Sequence, residues 1–530
     1  MKRHSFITRI ASLAVVCGLT LAFASCANDD LAQNGKTTTD EKGLTAFSTG
    51  EPATRTTMEA DGTFYWEAGD KIWVKDDSGN WKQSSNSPTG KTASFKFLMP
   101  GKYTAKSSYE VYYPGKNGNQ NQVTISANQI QTEPNTTAHF GASGDCGIAK
   151  ATRNATSHEF EFTLDHKAAY LVFKPYTSND VLKYCYLTKI EVTSDNDIAS
   201  TYTLDPTAAT GTGALTGTGY GKKIELITKG NSGSTYPNGF PLTNTSASLT
   251  TNGAYMVIKP GTHTLRIRYW VKDVATNIEG TITKIIPSHT FAKNEYVNME
   301  ADLQIKNYDG DKYYMWDAQE QYWKGHEWNL GGSQPTLESQ SASRDYPQNS
   351  SDTNNRWYNE SYPGYGVSNP AIHSCKDLPN ANELSWYVMY GDPRWDRDEL
   401  WTTMGHLYKG GMWFKKKSVL QAEGHYDTEF SADGITDLRT AWQNYRNTNG
   451  SISFGVPSAA DVNKYFYLPA LGYYNQGKLF AVGDGVGYYW SSSATPWRSS
   501  YADGLRFTRS YVEVFNTSSF AGFRAEALFE

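Results

Sequence analysis

Between residues 46 and 304, apolar and polar side chains alternate in short runs set off by Gly, Pro, Asn, Asp and Ser. No stretch there holds the 3.6-residue apolar period of an amphipathic helix. The runs Thr63-Phe64-Tyr65-Trp66, Lys71-Ile72-Trp73-Val74, Tyr109-Glu110-Val111-Tyr112-Tyr113, Phe160-Glu161-Phe162-Thr163-Leu164 and Lys189-Ile190-Glu191-Val192 put every second side chain on one face, which predicts half-buried strands. The clearest hairpin signal is Ala254-Tyr255-Met256-Val257-Ile258, the turn Lys259-Pro260-Gly261-Thr262, then Thr264-Leu265-Arg266-Ile267-Arg268-Tyr269-Trp270. A sandwich of about seven strands takes about 100 residues. The stretch therefore predicts two β-sandwiches, 46–155 and 156–304, with the joint near Ala155 just before a strand pair at 160–164 and 170–174.

Past residue 305 the pattern changes. Trp, Tyr, Asn and Ser rise, and 11 of the 15 Trp fall after residue 310. Asp396-Arg397-Asp398-Glu399 has an N-cap residue with Glu three positions on, and Ser458-Ala459-Ala460-Asp461 runs toward Phe466; both predict short helices. Leu505-Arg506-Phe507 and Tyr511-Val512-Glu513-Val514-Phe515 read as hairpin arms before a last strand at 522–529. Residues 306–530 thus predict one loop-rich α+β domain.

The N-terminus has Lys2, Arg3 and Arg9, an apolar run over 10–23, then Ala24 and Ser25 before Cys26, the order of a secretory signal. Phe23-Ala24-Ser25-Cys26 resembles a bacterial lipoprotein signal, and the resemblance implies that residues 1–25 are removed and that Cys26 carries lipid. Ala27-Asn28-Asp29-Asp30 resembles the acidic tag of surface-directed Bacteroidetes lipoproteins. The polar stretch 26–45 predicts a tether.

Charge narrows the partners. With 49 Lys plus Arg against 54 Asp plus Glu the formal charge is −5, and loss of Lys2, Arg3 and Arg9 would take it to −8. This balance argues against a nucleic-acid partner and against adsorption to anionic headgroups. Beyond Cys17 and Cys26 the chain has Cys146, Cys185 and Cys375. An odd remainder builds no disulfide framework, though a Cys146–Cys185 bridge stays open.

Three features resemble the fimbrillin-like proteins of Bacteroidetes: the lipoprotein signal; Thr54-Arg55-Thr56-Thr57 followed by Trp66-Glu67-Ala68-Gly69-Asp70-Lys71-Ile72; and Leu164-Asp165-His166-Lys167-Ala168-Ala169-Tyr170-Leu171-Val172-Phe173. The resemblance covers residues 1–304. It implies two all-β transthyretin-like sandwiches, cleavage after Arg55, release of a strand, and assembly with other fimbrial subunits by strand exchange.

Residues 306–530 resemble a C-type-lectin-like fold shared with relatives of formylglycine-generating enzyme. The match lies in Phe454-Gly455-Val456-Pro457-Ser458-Ala459-Ala460-Asp461, Gly487-Tyr488-Tyr489-Trp490-Ser491-Ser492-Ser493, Leu505-Arg506-Phe507 and Ala521-Gly522-Phe523-Arg524-Ala525. The fold expected is therefore multidomain, two such sandwiches followed by an α+β C-type-lectin-like domain. The formylglycine reaction needs paired cysteines and this part has only Cys375, so no enzyme, catalytic residue or cofactor is expected. The Glu-Pro-Asn or Gln-Pro-Asp signature of calcium-dependent lectins is absent from residues 306–530, and Asp392, Asp396, Asp398 and Glu399 read as a solvated capping cluster rather than a metal site. His326, His373, His406 and His425 lack metal-ligand spacing. Glu423, Asp427 and Glu429 are carboxylates whose convergence on a cleft sequence cannot show.

Trp386, Tyr387, Trp395, Trp401 and Trp413 fall within 28 residues. Such rings fill loop-rich cores, and they also stack on sugars beside polar groups. Trp395, Trp401 and Trp497, with Asp396 and Arg498, are the ligand-binding candidates. The expected function is a fimbrial tip adhesin on the outer membrane, anchored by lipid and binding a host or microbial glycan. The chain's stop at Glu530, with no strand to spare for donation, fits that expectation. The alternative is a stand-alone surface lipoprotein that captures polysaccharide.

Overall fold

The computed structural model describes residues 43–529 apart from 50–56, 59–63, 210–211, 218, 337–340, 449 and 484. The chain divides into Met1–Leu44, nearly all outside the described residues, and a unit Thr45–Glu530. The expected signal peptide, Cys26 and Arg55 all lie outside the described residues.

The architecture is mostly β. An eight-stranded sheet runs Trp81–Gln83, Trp73–Lys75, Ser108–Tyr113, Gly147–Arg153, Phe160–Phe162, Leu44–Thr49, Lys96–Pro100, with Asp165–His166 beside Gly147–Arg153. Its residues Phe47, Val74, Phe97, Val111 and Phe160 build a core together with Trp66, which pairs with Thr92 outside the sheet. Within the Trp66 motif, Asp70 is buried and accepts from the Tyr113 hydroxyl at 2.9 Å and the Glu67 N–H at 2.7 Å.

A second apolar cluster joins Leu171, Phe173 and Met256 of a three-stranded sheet to Ile190, Val192, Leu226, Ile267 and Tyr269 of a ten-stranded one. The cluster also takes Tyr112 and Ile148 from the first sheet and Leu400 and Leu407 from the C-terminal part, so the cores interlock. At the first joint, Asp145 accepts from the Tyr170 hydroxyl at 2.6 Å and its Oδ1 lies 2.8 Å from His166 Nδ1.

The ten-stranded sheet positions the site. Its order is Tyr465–Pro469, His406–Lys415, Arg394–Thr403, Ile278–Phe291, Gly261–Asp273, Tyr186–Ser194, Lys223–Ile227, Asn128–Ile130, with Phe240–Pro241 beside Tyr186–Ser194 and Ser453–Phe454 beside Arg394–Thr403. One sheet therefore continues from the residues expected to form the second sandwich into the C-terminal part.

Several expected elements differ. Ala254–Ile258 and Gly261–Asp273 are strands but not a hairpin: the first pairs with Ala169–Tyr176, the second with Tyr186–Ser194 and Ile278–Phe291. The Lys259-Pro260 turn carries the chain between two sheets, because both strands have an apolar face that needs the same core. The true hairpin is Gly261–Asp273 with Ile278–Phe291. Nor do 160–164 and 170–174 pair: Phe160–Phe162 joins the first sheet beside Leu44–Thr49 and Gly147–Arg153.

Asp396-Arg397-Asp398-Glu399 is strand, not helix, and Ser458 leads into turns and a 3-10 helix, Val462–Lys464, before the strand Tyr465–Pro469. The last strand is only Phe523–Arg524. The long helix is Ala381–Tyr390, opened by a capping box in which Asn380 accepts from the Glu383 N–H and Glu383 accepts from the Asn380 N–H. Cys146, Cys185 and Cys375 are free and buried, so the Cys146–Cys185 bridge is not formed. Among the described residues no helix is long and apolar enough to cross a membrane.

Candidate functional site

The strand Arg394–Thr403 is held out of step by its neighbours. Against His406–Lys415 the register runs Arg394 to Trp413, Trp395 to Met412 and Asp396 to Gly411, then resumes at Leu400 opposite Lys409, so Arg397, Asp398 and Glu399 form a bulge. On its other side Glu399 meets Thr281 of Ile278–Phe291 in a parallel contact. Gly280 permits the approach, since a Cβ there would lie 2.4 Å from the Asp398 carbonyl oxygen.

The bulge meets Arg268 on Gly261–Asp273. Its Nη2 donates to both Asp396 oxygens at 3.0 and 3.1 Å and lies 3.7 Å from Glu399 Oε2, while Nε donates to Thr281 Oγ1 at 3.1 Å. Asp396 also accepts from the Asp398 N–H and the Trp413 indole N–H. Glu399 accepts from the hydroxyls of Thr281 and Thr283 and from the Thr283 N–H. Burial, then the nearby charge of Asp396, pushes the Glu399 carboxyl up to about 7 against the opposing pull of Arg268 and Thr283. Rather than a solvated cap, Asp396 and Glu399 make a buried charge cluster tying the C-terminal part to the strand before it.

In front of this cluster is a cavity of about 510 Å³ lined in part by Trp395, Asp396, Arg397, Lys409, Phe454 and Arg509. Gly410 and Gly485 both line it and both have left-handed backbones, φ 100° and 83°. A Cβ on either would meet the Cζ2–Cη2 edge of the Trp395 indole at 3.2–3.5 Å. That edge therefore faces the cavity, while the rest of the ring packs in the core and only 7% of the residue is exposed. Phe454, 72% exposed, offers an open ring at the rim.

Of the residues singled out in the sequence, Trp395 and Asp396 come together here, but Asp396 is 1% exposed and both its oxygens are engaged within the protein. Trp401 is buried, donates its indole N–H to the Gly410 carbonyl at 2.9 Å, packs with Tyr308, Leu471 and Val482, and touches a smaller cavity of about 140 Å³ beside Glu399. Trp497 is half-buried and Arg498 exposed in a turn closed by Thr495 and Tyr501, and neither lines these two cavities. The Arg498 guanidinium lies 4.0 Å from the Tyr501 ring centroid.

Arg268, Arg397, Lys409, Phe454 and Arg509 were not singled out. Two of them carry a sequence signal, the glycine beside them in Lys409-Gly410-Gly411 and Phe454-Gly455, where backbone without a side chain leaves room for a ligand.

Other chemistry-bearing groups are occupied. Lys415 donates to Glu423 at 2.7 Å, Arg439 to Glu429 at 2.7 Å, and Asp427 accepts from the Glu429 N–H at 2.7 Å. The Cys375 thiol is pushed up to about 12 by burial and accepts from the Asp317 N–H. His425 stacks on Tyr390 with centroids 4.0 Å apart. Among the described residues no cluster of His, Cys, Asp and Glu is placed to hold a metal ion.

A second feature lies in the first sheet. The strand Leu44–Thr49 sits between Phe160–Phe162 and Lys96–Pro100, parallel to the former. Its Phe47 is fully buried, stacked on Phe160 at 4.9 Å and edge-on to Tyr103 at 5.2 Å.

No protein-family model and no curated protein matches the chain. Solved structures similar to it include a candidate cell adhesion protein of Bacteroides uniformis, at 15% identity over 49% of this chain and 93% of that one, TM-score 0.29. A fimbrial protein of Bacteroides ovatus matches at 10% identity over 91% and 97%, TM-score 0.23. The fimbrial anchor protein Mfa2 of Porphyromonas gingivalis matches at 12% identity over 46% and 82%, TM-score 0.18.

Proposed function

We propose that the chain is a fimbrial subunit of the cell surface, lipidated at Cys26 and matured by a cut after Arg55, with its C-terminal part, 306–530, as a glycan-binding tip. The observation that carries this reading is the place of Leu44–Thr49. It lies inside a sheet with strands on both sides, on the N-terminal side of Arg55. A cut there frees a segment holding Phe47, and its departure bares backbone donors and acceptors on two strands together with a pocket lined by Phe160, Tyr103 and Tyr109. Such a groove takes a complementary strand from a neighbouring subunit, with main-chain bonds supplying affinity and the Phe pocket supplying register. The cavity at Trp395 supports the glycan-binding part of the reading.

The test is exchange. The full chain is treated with an Arg-specific protease, and binding of a synthetic peptide spanning residues 43–52 is followed by fluorescence anisotropy. Capture by cut protein and not by uncut protein is expected. A cut protein that keeps its own strand and captures no peptide refutes strand exchange and leaves the alternative, an intact lipoprotein that gathers polysaccharide.

A further inference from the structure

The glycan-binding reading leaves the class of glycan open, and the cavity's charges narrow it. Four of its described lining residues are cations, Arg268, Arg397, Lys409 and Arg509, against two carboxylates, Asp396 and Asp398. Arg268 and Asp396 neutralise each other by direct hydrogen bonds in a buried pair. Asp398 is left facing two cations at salt-bridge distance, Arg397 at 3.6 Å and Lys409 at 3.7 Å. Arg509 is exposed on the same cavity, and the Arg397 side chain is 83% exposed. The described lining thus has a surplus of positive charge on a chain whose formal charge is −5.

Shape points the same way. A neutral pyranose bound by stacking needs an open aromatic face. Trp395 turns only an edge to the cavity, and Phe454 is the ring left open. Guanidinium forks recognise planar or tetrahedral oxyanions bidentately.

Resting on the glycan-binding reading above, we infer that this cavity binds an acidic saccharide, its carboxylate or sulfate held by Arg397 and Arg509 with Lys409 beside them, and a sugar ring against Phe454.

The experiment is affinity electrophoresis of the full chain through gels carrying polygalacturonate, dextran sulfate, unmodified dextran or poly-L-glutamate. Wild type is compared with Arg397→Glu/Arg509→Glu, with Phe454→Ala, and with Lys183→Glu, a charge reversal on a lysine whose side chain is 42% exposed and which lines neither described cavity. Both arginines are exposed, so the double variant removes no core contact. Expected are retardation by polygalacturonate or dextran sulfate but not by dextran, a loss of about tenfold or more in the double variant, a smaller loss for Phe454→Ala, and none for Lys183→Glu. Which of the two acidic gels retards the chain separates carboxylate from sulfate recognition.

If the double variant is retarded like wild type, if Lys183→Glu loses as much, or if dextran binds equally well, the inference falls while glycan binding stands. If poly-L-glutamate retards the chain and no polysaccharide does, glycan binding itself falls. Absence of retardation in every gel overturns both.

Discussion

Arg268→Met tests the charge cluster that joins the C-terminal part to the strand before it. The substitution keeps an unbranched side chain of fair length and removes one cation. Asp396, 1% exposed, and Glu399, with a side chain 16% exposed, then share a buried site without a counterion. Their bonds from Asp398, Trp413, Thr281 and Thr283 remain, so the loss reads the Arg268 charge together with its two hydrogen bonds to Asp396. Breaking one side of a buried ion pair costs about 3–5 kcal/mol, and that is the loss expected at pH 8. The loss shrinks at pH 5. Glu399 has a folded value of about 7, above its ordinary range, so the native state holds its proton more tightly than the unfolded chain does. Its contribution to stability therefore declines as pH rises from about 4.5 toward 7. Removing Arg268 pushes the value higher and extends that decline. Urea unfolding followed by Trp fluorescence reports mainly the C-terminal part, since 11 of the 15 Trp lie after residue 310. A loss below about 1 kcal/mol at pH 8, or the same loss at pH 5 as at pH 8, would refute the reasoning.

Gly280→Val places a branched side chain where a Cβ alone would lie 2.4 Å from the Asp398 carbonyl and 2.7 Å from Leu400 Cδ2. It is expected to force Ile278–Phe291 from Arg394–Thr403, cost about 1–3 kcal/mol and speed proteolysis near residues 303–306, measured by timed digestion and mass spectrometry. Asp503 is buried, accepts from the Thr495 hydroxyl at 2.9 Å, and is pushed up to about 7 by burial against that bond. Asp503→Asn keeps the acceptor, so it is expected to lessen the fall in Tm between pH 4 and 7 and to raise stability at pH 8 by about 1–3 kcal/mol; an unchanged pH profile would count against it. Burial raises the thiols of Cys146, Cys185 and Cys375. Iodoacetamide at pH 8 should therefore label none of them until urea is added, and rapid labelling of the native chain would contradict their burial.

Much of the strand content was legible because a strand needs only alternation, and alternation is local. Ser108–Tyr113, Tyr186–Ser194 and the hairpin of Tyr501–Thr508 with Tyr511–Ser518 fall where the pattern places them. Pairing was less legible. Ala254–Ile258 and Gly261–Asp273 are separated by a turn that would suit a hairpin, yet each has a closer partner in its own sheet. Asp396 and Glu399 have the spacing of a helix cap. The strands on both sides supply backbone bonds that the cap would forgo, and Arg268 and Thr283 supply the partners. The helix that does form, Ala381–Tyr390, carried its own signal in Asn380 and Glu383.

The sequence by itself determined the β-rich character and the aromatic weighting of the C-terminal part. Only the tertiary structure decided what the outward face of Gly261–Asp273 does. Leu265, Ile267, Tyr269 and Val271 point into the core, so Arg266, Arg268 and Trp270 alternate with them as residues of a solvent face would. In the fold, Arg394–Thr403 joins the same sheet and its bulge covers that face, leaving Arg268 buried against Asp396. Alternation records which side of a strand is apolar. Whether the other side meets water or another part of the chain depends on contacts more than a hundred residues apart, and here those contacts brought Trp395, Arg397, Lys409, Phe454 and Arg509 around one cavity.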